Sequence, residues 1–128
     1  MSKQSNYWVE IAKYDLETAD SMLKSKRYLY VGFMCHQSIE KILKAAYTNK
    51  FNKVPPKIHN LARLVTLVEL DSDIPVDMID IINELNPLNI ATRYPDQELE
   101  LLKEIDYDHS SDLLKKTRRL FKWIETKL

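Results

Sequence analysis

His36, Glu40 and Lys44 recur at four-residue intervals, and Gln37 and Lys41 repeat the spacing beside them. On a helix this puts the first three on one stripe and the other two on the next. Such a strip can hold a phosphate or a base: Lys41 or Lys44 supplies charge, and Gln37 or His36 reads an edge. The same residues also describe an ordinary helix face, with Glu40 and Lys44 as an ion pair worth about 0.2–0.5 kcal/mol. His59 follows Pro55 and Pro56 and stands where a helix is expected to open. Free N–H groups at a helix start attract anions, and His59 can assist there as a neutral donor or as imidazolium. Packed beside the loop, it would instead bond a carbonyl. Thr92, Arg93, Tyr94, Pro95 and Asp96 join charge and aromatic surface in one loop. Arg93 can clamp a phosphate through two parallel bonds, and Tyr94 can stack on a base. In the structural alternative Arg93 pairs with a carboxylate, Asp15 being one candidate, and pins the loop to the fold.

Other chemistries find less support. His36, His59 and His109 form no HExxH pattern, and one cysteine makes no zinc site, so no metal is expected. No cofactor is expected either: Gly32 is the only glycine, so there is no glycine-rich phosphate loop. Cys35 sits among apolar positions and reads as a small core residue. Lys115, Lys116, Arg118, Arg119 and Lys122 make a basic face on the last helix. With only Trp123 among them, that face reads as solvated rather than as an RNA platform.

The elements that must position these residues are helices. The chain of 128 residues suits one domain, 1–128, with 45% apolar and 30% charged residues. A single glycine leaves little material for the tight turns of sheets. One cysteine, no signal-peptide pattern and no apolar run near the ~20 residues of a membrane span point to the cytoplasm. Net charge is zero, yet residues 1–63 carry 11 basic against 5 acidic residues, and residues 64–128 carry 8 against 14. That polarity favours a solvated mixed surface, with antiparallel self-association as the alternative.

The first helix is expected over Ser5–Lys24, with Trp8, Ile11, Ala12, Leu16, Ala19, Met22 and Leu23 inward and Asp15 interrupting the stripe. A second runs over Tyr28–Phe51, where Gly32, Cys35, Ser38, Ala45 and Ala46 allow close approach of another helix. A third begins near His59. A fourth follows Pro75 and carries Val76, Ile79, Ile82 and Leu85 inward. Residues 86–106 read as an extended excursion with a short helix around Glu98–Lys103, and the last helix starts near Ser110 or Ser111. The fold class is all-α, an up-and-down bundle of four to five helices.

Three pieces together resemble the HEPN family: YWVEIAKYDLETADSML, YVGFMCHQSIEKILKAAY, and KIHNLARLV followed by TRYPD. CHQSIEKILKA is the most specific, and the ordered set spans nearly the whole chain. The resemblance implies a helical bundle that commonly forms homodimers and often works beside a minimal nucleotidyltransferase partner. Some such proteins are toxin-like ribonucleases held in check by that partner, as in toxin–antitoxin pairs. Others bind nucleotide or act as interaction modules. Active members place four to six residues between an Arg and the His that follows it. Here eight residues separate Arg27 from His36, and fifteen separate Arg93 from His109. The expectation is therefore a binding module whose ligand residues are His36, Gln37, Glu40, Lys41, Lys44, His59, Arg93 and Tyr94, with no catalytic residue and little or no RNA cleavage. The alternative is a metal-independent ribonuclease using His36 or His59 with Arg93.

Overall fold

A computed structural model of the chain describes residues 2–89 and 94–128. The described helices are α1 (Lys3–Lys24), α2 (Tyr28–Phe51), α3 (Leu61–Leu67), α4 (Val76–Leu85), α5 (Pro95–Glu104) and α6 (Tyr107–Glu125), with a 3₁₀ turn at Asn86–Leu88. There is no strand among the described residues. None of these helices is long and apolar enough to cross a membrane.

α1 and α2 form the long antiparallel pair, in contact along most of their lengths. Their seam is set by small residues seven apart: Ser5, Ala12 and Ala19 are each fully buried. Two helical turns fall nearly in register over seven residues, so this spacing brings the backbones close along one line. The Ser5 hydroxyl donates to the Ala45 carbonyl at 3.1 Å across it. This seam rotates α1 relative to the expected stripe. Val9 and Asp15 turn inward, while Ile11 is 47% exposed. Asp15 is held by Lys41 of the neighbouring helix, 2.7 Å away, while Arg93, its expected candidate partner, lies outside the described residues.

α2 is enclosed on almost every side, and α6 packs along it. α6 runs antiparallel to α1, tied by Arg118–Asp20 at 3.2 Å and Lys13–Glu125 at 3.1 Å. It is also antiparallel to α4, where Lys116 meets Glu84 at 3.4 Å and Arg119 meets Asp77. α1, α2, the α3–α4 arm and α6 therefore alternate up and down. α4 buries Ile81, Ile82 and Leu85, but Val76 at its first turn is 76% exposed and Ile79 39% exposed, against the sequence expectation.

The helix ends explain the other departures. Asp106 caps α6, accepting from the His109 N–H at 2.8 Å, so the helix starts at Tyr107, before Ser110. α5 starts at Pro95, earlier than expected, with the Tyr94 N–H bonded to Gln97 at 3.1 Å. The turns dispense with glycine: Lys26, Asn52 and Glu69 take the positive-φ positions. Gly32 serves inside α2, where a Cβ would lie 3.1 Å from Leu88 Cδ1. The small residues Gly32, Cys35, Ser38, Ala45 and Ala46 are all buried within the chain itself, so they offer no face to a second copy.

Candidate functional site

α2 carries His36, Gln37, Glu40 and Lys44 to the end of the loop that leads into α3. The His36 ring is fully buried, and its Nε2–H donates to the His59 carbonyl at 3.1 Å. That bond leaves Nδ1 as the acceptor, with the Gln37 amide nitrogen 3.4 Å away. Burial pushes the imidazole down to about 4, beyond what the neighbouring Glu40 carboxylate recovers. His36 is therefore neutral at physiological pH. It positions the loop backbone from inside the bundle.

Glu40 lies between two cations or potential cations. Its Oε2 accepts from the Lys44 ammonium at 3.1 Å, and its Oε1 accepts from His59 Nδ1–H at 3.0 Å. Glu40 is 2% and Lys44 6% exposed. The aliphatic stem of a lysine can cover apolar surface while its head keeps a partner. Here the head also sits 5.8 Å from the centroid of the Trp8 ring. Lys41, on the next stripe, is taken by Asp15. Both lysines named as phosphate ligands thus have carboxylate partners inside the protein.

The outward member of the network is His59, more than half exposed. Its Nδ1 is anchored on Glu40, and its Nε2 has no partner among the described residues. It does not open a helix. Asn60 caps α3, which starts at Leu61, accepting from the Arg63 N–H at 3.2 Å. Asn86 takes the Leu61 N–H at 2.9 Å and donates to Asn60 at 3.0 Å. The Leu61 and Arg63 N–H groups of that first turn are thus already occupied.

His59, Asn60, Asn83, Asn86 and Asn89 line an open groove of about 520 Å³ beside Pro87. The asparagines were missed in the sequence reading, although Asn83, Asn86 and Asn89 recur every three residues through the end of α4 and its 3₁₀ turn. That period keeps them on one side. Neutral amides donate and accept together, so such a wall suits hydrogen-bonding edges. Tyr94 stands at the start of α5 with its ring 74% exposed. Arg93 and Thr92 lie outside the described residues.

Cys35 is buried among apolar neighbours, and desolvation pushes its thiol up to about 12. Among the described residues no three His, Cys, Asp or Glu side chains converge as metal ligands.

The HEPN domain family matches residues 5–127. The chain belongs to the HEPN family. Two solved structures share its fold. The crystal structure of TT1696 from Thermus thermophilus superposes with a TM-score of 0.85 at 23% identity, over 99% of this chain and 100% of that one. ST0689, described as an archaeal HEPN homologue, gives 0.73 at 18% identity, over 99% and 98%. No curated protein matches the chain by sequence. The HEPN bundle thus places His36, Gln37, Glu40, Lys44 and His59 in one network and directs Lys41 elsewhere.

Proposed function

We propose that this HEPN domain is a non-catalytic, nucleotide-associated binding module of the cytoplasm. It takes a nucleotide, or an unpaired base of RNA, in the asparagine-lined groove at His59. The observation that carries this reading is the anchored imidazole: Glu40 holds Nδ1, and His59 lines one groove with four neutral asparagine amides. Asparagine amides pair well with the edges of bases. Arg93, in the adjoining segment, supplies the phosphate contact, and Tyr94 a stacking surface. Gln37 supports the network through His36, while Lys41, paired with Asp15, takes no part in it. Consistent with the habits of HEPN proteins, the module works beside a nucleotidyltransferase-type partner.

Titration with adenosine 5′-monophosphate, followed through the His59 ring resonances assigned with a His59→Ala variant, tests the groove. A saturable shift is expected, and Asn83→Ala should weaken it roughly three- to tenfold, the worth of one hydrogen bond. Ring signals unmoved by the nucleotide and by short single-stranded RNA would remove this reading.

The carboxylate-oriented imidazole also favours a second reading, since a general base is commonly held by such a partner. In that ribonuclease reading His59 acts with Arg93, and His36, enclosed and doubly engaged, only positions. Metal-free incubation with structured and single-stranded RNA separates the two. The binding-module reading expects intact RNA, whereas cleavage abolished by His59→Ala or Arg93→Ala would establish the enzyme.

The module is proposed to be a homodimer. With the small residues of α2 used internally, the surface proposed for it is the stripe of Tyr7, Ile11 and Tyr14 on α1, exposed by 53%, 47% and 67%. Ile11→Glu places a charge in the middle of that stripe. Sedimentation is expected to show a dimer for the parent at tens of micromolar and at least a tenfold weaker association for the variant. A parent that sediments as monomer would refute the dimer, and an unaffected dimer would move its interface elsewhere.

A further inference from the structure

A second pocket lies at the opposite end of the loop, between the start of α1 and the end of α2. It encloses about 230 Å³. That is below the roughly 300 Å³ at which drug-sized sites begin, so it suits a single ring system. Trp8 forms one wall and Pro55 another. Gln4, Asn52 and Thr48 add neutral groups that both donate and accept. Lys53 stands at the rim with no ion pair among the described residues, and no carboxylate lines the pocket.

Thr48 sets this pocket apart from a surface crevice. It is 5% exposed, and its hydroxyl has no hydrogen-bond partner. A helical threonine usually turns its hydroxyl back to the carbonyl four residues earlier, as Thr18 does to Tyr14 at 3.0 Å and Thr117 to Leu113 at 2.8 Å. Thr48 does not. A buried hydroxyl without a partner is costly, and helical threonine has two accessible rotamers through which it can meet an incoming polar group. The left-handed Asn52 that ends α2 brings its side chain and Lys53 to the same opening.

We propose that the Trp8–Thr48 pocket binds a nucleobase. The indole stacks on the ring, and Thr48, Gln4 and Asn52 read its edge. Indole stacking tolerates any base, because every base offers a π-face. The cationic rim favours a base that carries a phosphate, whether as a free nucleotide or within single-stranded RNA. This site is separate from the His59 groove and does not depend on it.

Fluorescence titration in a Trp123→Phe background tests the proposal, because Trp8 is then the only tryptophan. Adenosine, adenosine 5′-monophosphate and hexa-adenylate are the probes. Saturable quenching is expected, tighter for the monophosphate than for adenosine. Lys53→Ala should remove that preference. Hexa-adenylate binding above its per-nucleotide share would assign the site to RNA, and an equal share to the free nucleotide. Thr48→Val keeps the side-chain shape without the hydroxyl. It should weaken binding roughly three- to tenfold while leaving the thermal midpoint of the free protein unchanged or raised. Asn83→Ala should leave the quenching as it is. The proposal is overturned by absence of saturable quenching up to ~10 mM, about tenfold above the ~1 mM Kd of a weak single-ring ligand. Unchanged affinity in Thr48→Val also overturns it, as does loss of the signal in Asn83→Ala.

Discussion

Glu40→Ala is expected to destabilise the fold by about 3–5 kcal/mol, the range for removing one member of a buried ion pair. The carboxylate bonds both Lys44, at 3.1 Å, and His59, at 3.0 Å. Without it the Lys44 ammonium keeps only the Trp8 ring, 5.8 Å from the centroid, inside a side chain that is 6% exposed. An exposed pair at the same four-residue spacing would be worth a few tenths of a kcal/mol, so burial decides the size. Urea unfolding should show a lower midpoint with an unchanged slope. Replacing the pair together, Glu40→Leu with Lys44→Met, should recover most of the loss, because no charge is then left stranded. That double variant also separates architecture from function. It should fold, yet its His59 ring has lost its anchor, so nucleotide binding in the groove should weaken. A single Glu40→Ala loss below about 1 kcal/mol would mean that Lys44 escapes to water by its flexible stem.

The same network marks the limit of what the chain reveals before folding. The spacing of His36, Glu40 and Lys44 was legible because helical neighbours repeat every three to four residues. Their burial was not, because other elements enclose α2 on almost every side, the stripe of His36, Glu40 and Lys44 included. The tie from Glu40 to His59 crosses nineteen positions and a proline-containing loop, which local periodicity cannot anticipate. For α1 the helix was plain, but its inward face was not. Large apolar residues drew the expected stripe through Ile11, whereas close packing was set by Ser5, Ala12 and Ala19. Small residues add little hydrophobic signal, yet they decide where two backbones touch. α6 began early because Asp106 supplies a cap that outweighs the polar run Tyr107–Asp108–His109. The groove was half legible: the period of Asn83, Asn86 and Asn89 stands in the sequence, but its meeting with His59 is tertiary.

Acid should destabilise this protein through His36 before it protonates most carboxylates. In the unfolded chain an imidazole takes its proton at its ordinary 6.5, whereas burial holds His36 near 4 in the folded protein. Between those values the unfolded state binds a proton that the folded state refuses. Stability is therefore complete above 6.5, falls as pH drops towards 4, and has no further contribution from this group below that. A gap of about 2.5 between the two values, at ~1.36 kcal/mol each, makes the full loss about 3 kcal/mol. The groups around the ring work in both directions. Desolvation is the largest influence; Glu40, with Oε1 at 3.9 Å from Nδ1, and the His59 carbonyl favour the imidazolium, while the His59 ring and Lys44 oppose it. His36→Gln isolates the effect. An amide N–H at the same reach can still donate to the His59 carbonyl but does not titrate. Subtracting the variant's stability profile from the parent's cancels the acid titration of the carboxylates common to both. The difference should be flat above pH 7 and change by about 3 kcal/mol between pH 6.5 and 4. Parallel profiles would show that the imidazole accepts its proton without opening the bundle, and that the contact between His36 and the loop is wet rather than sealed.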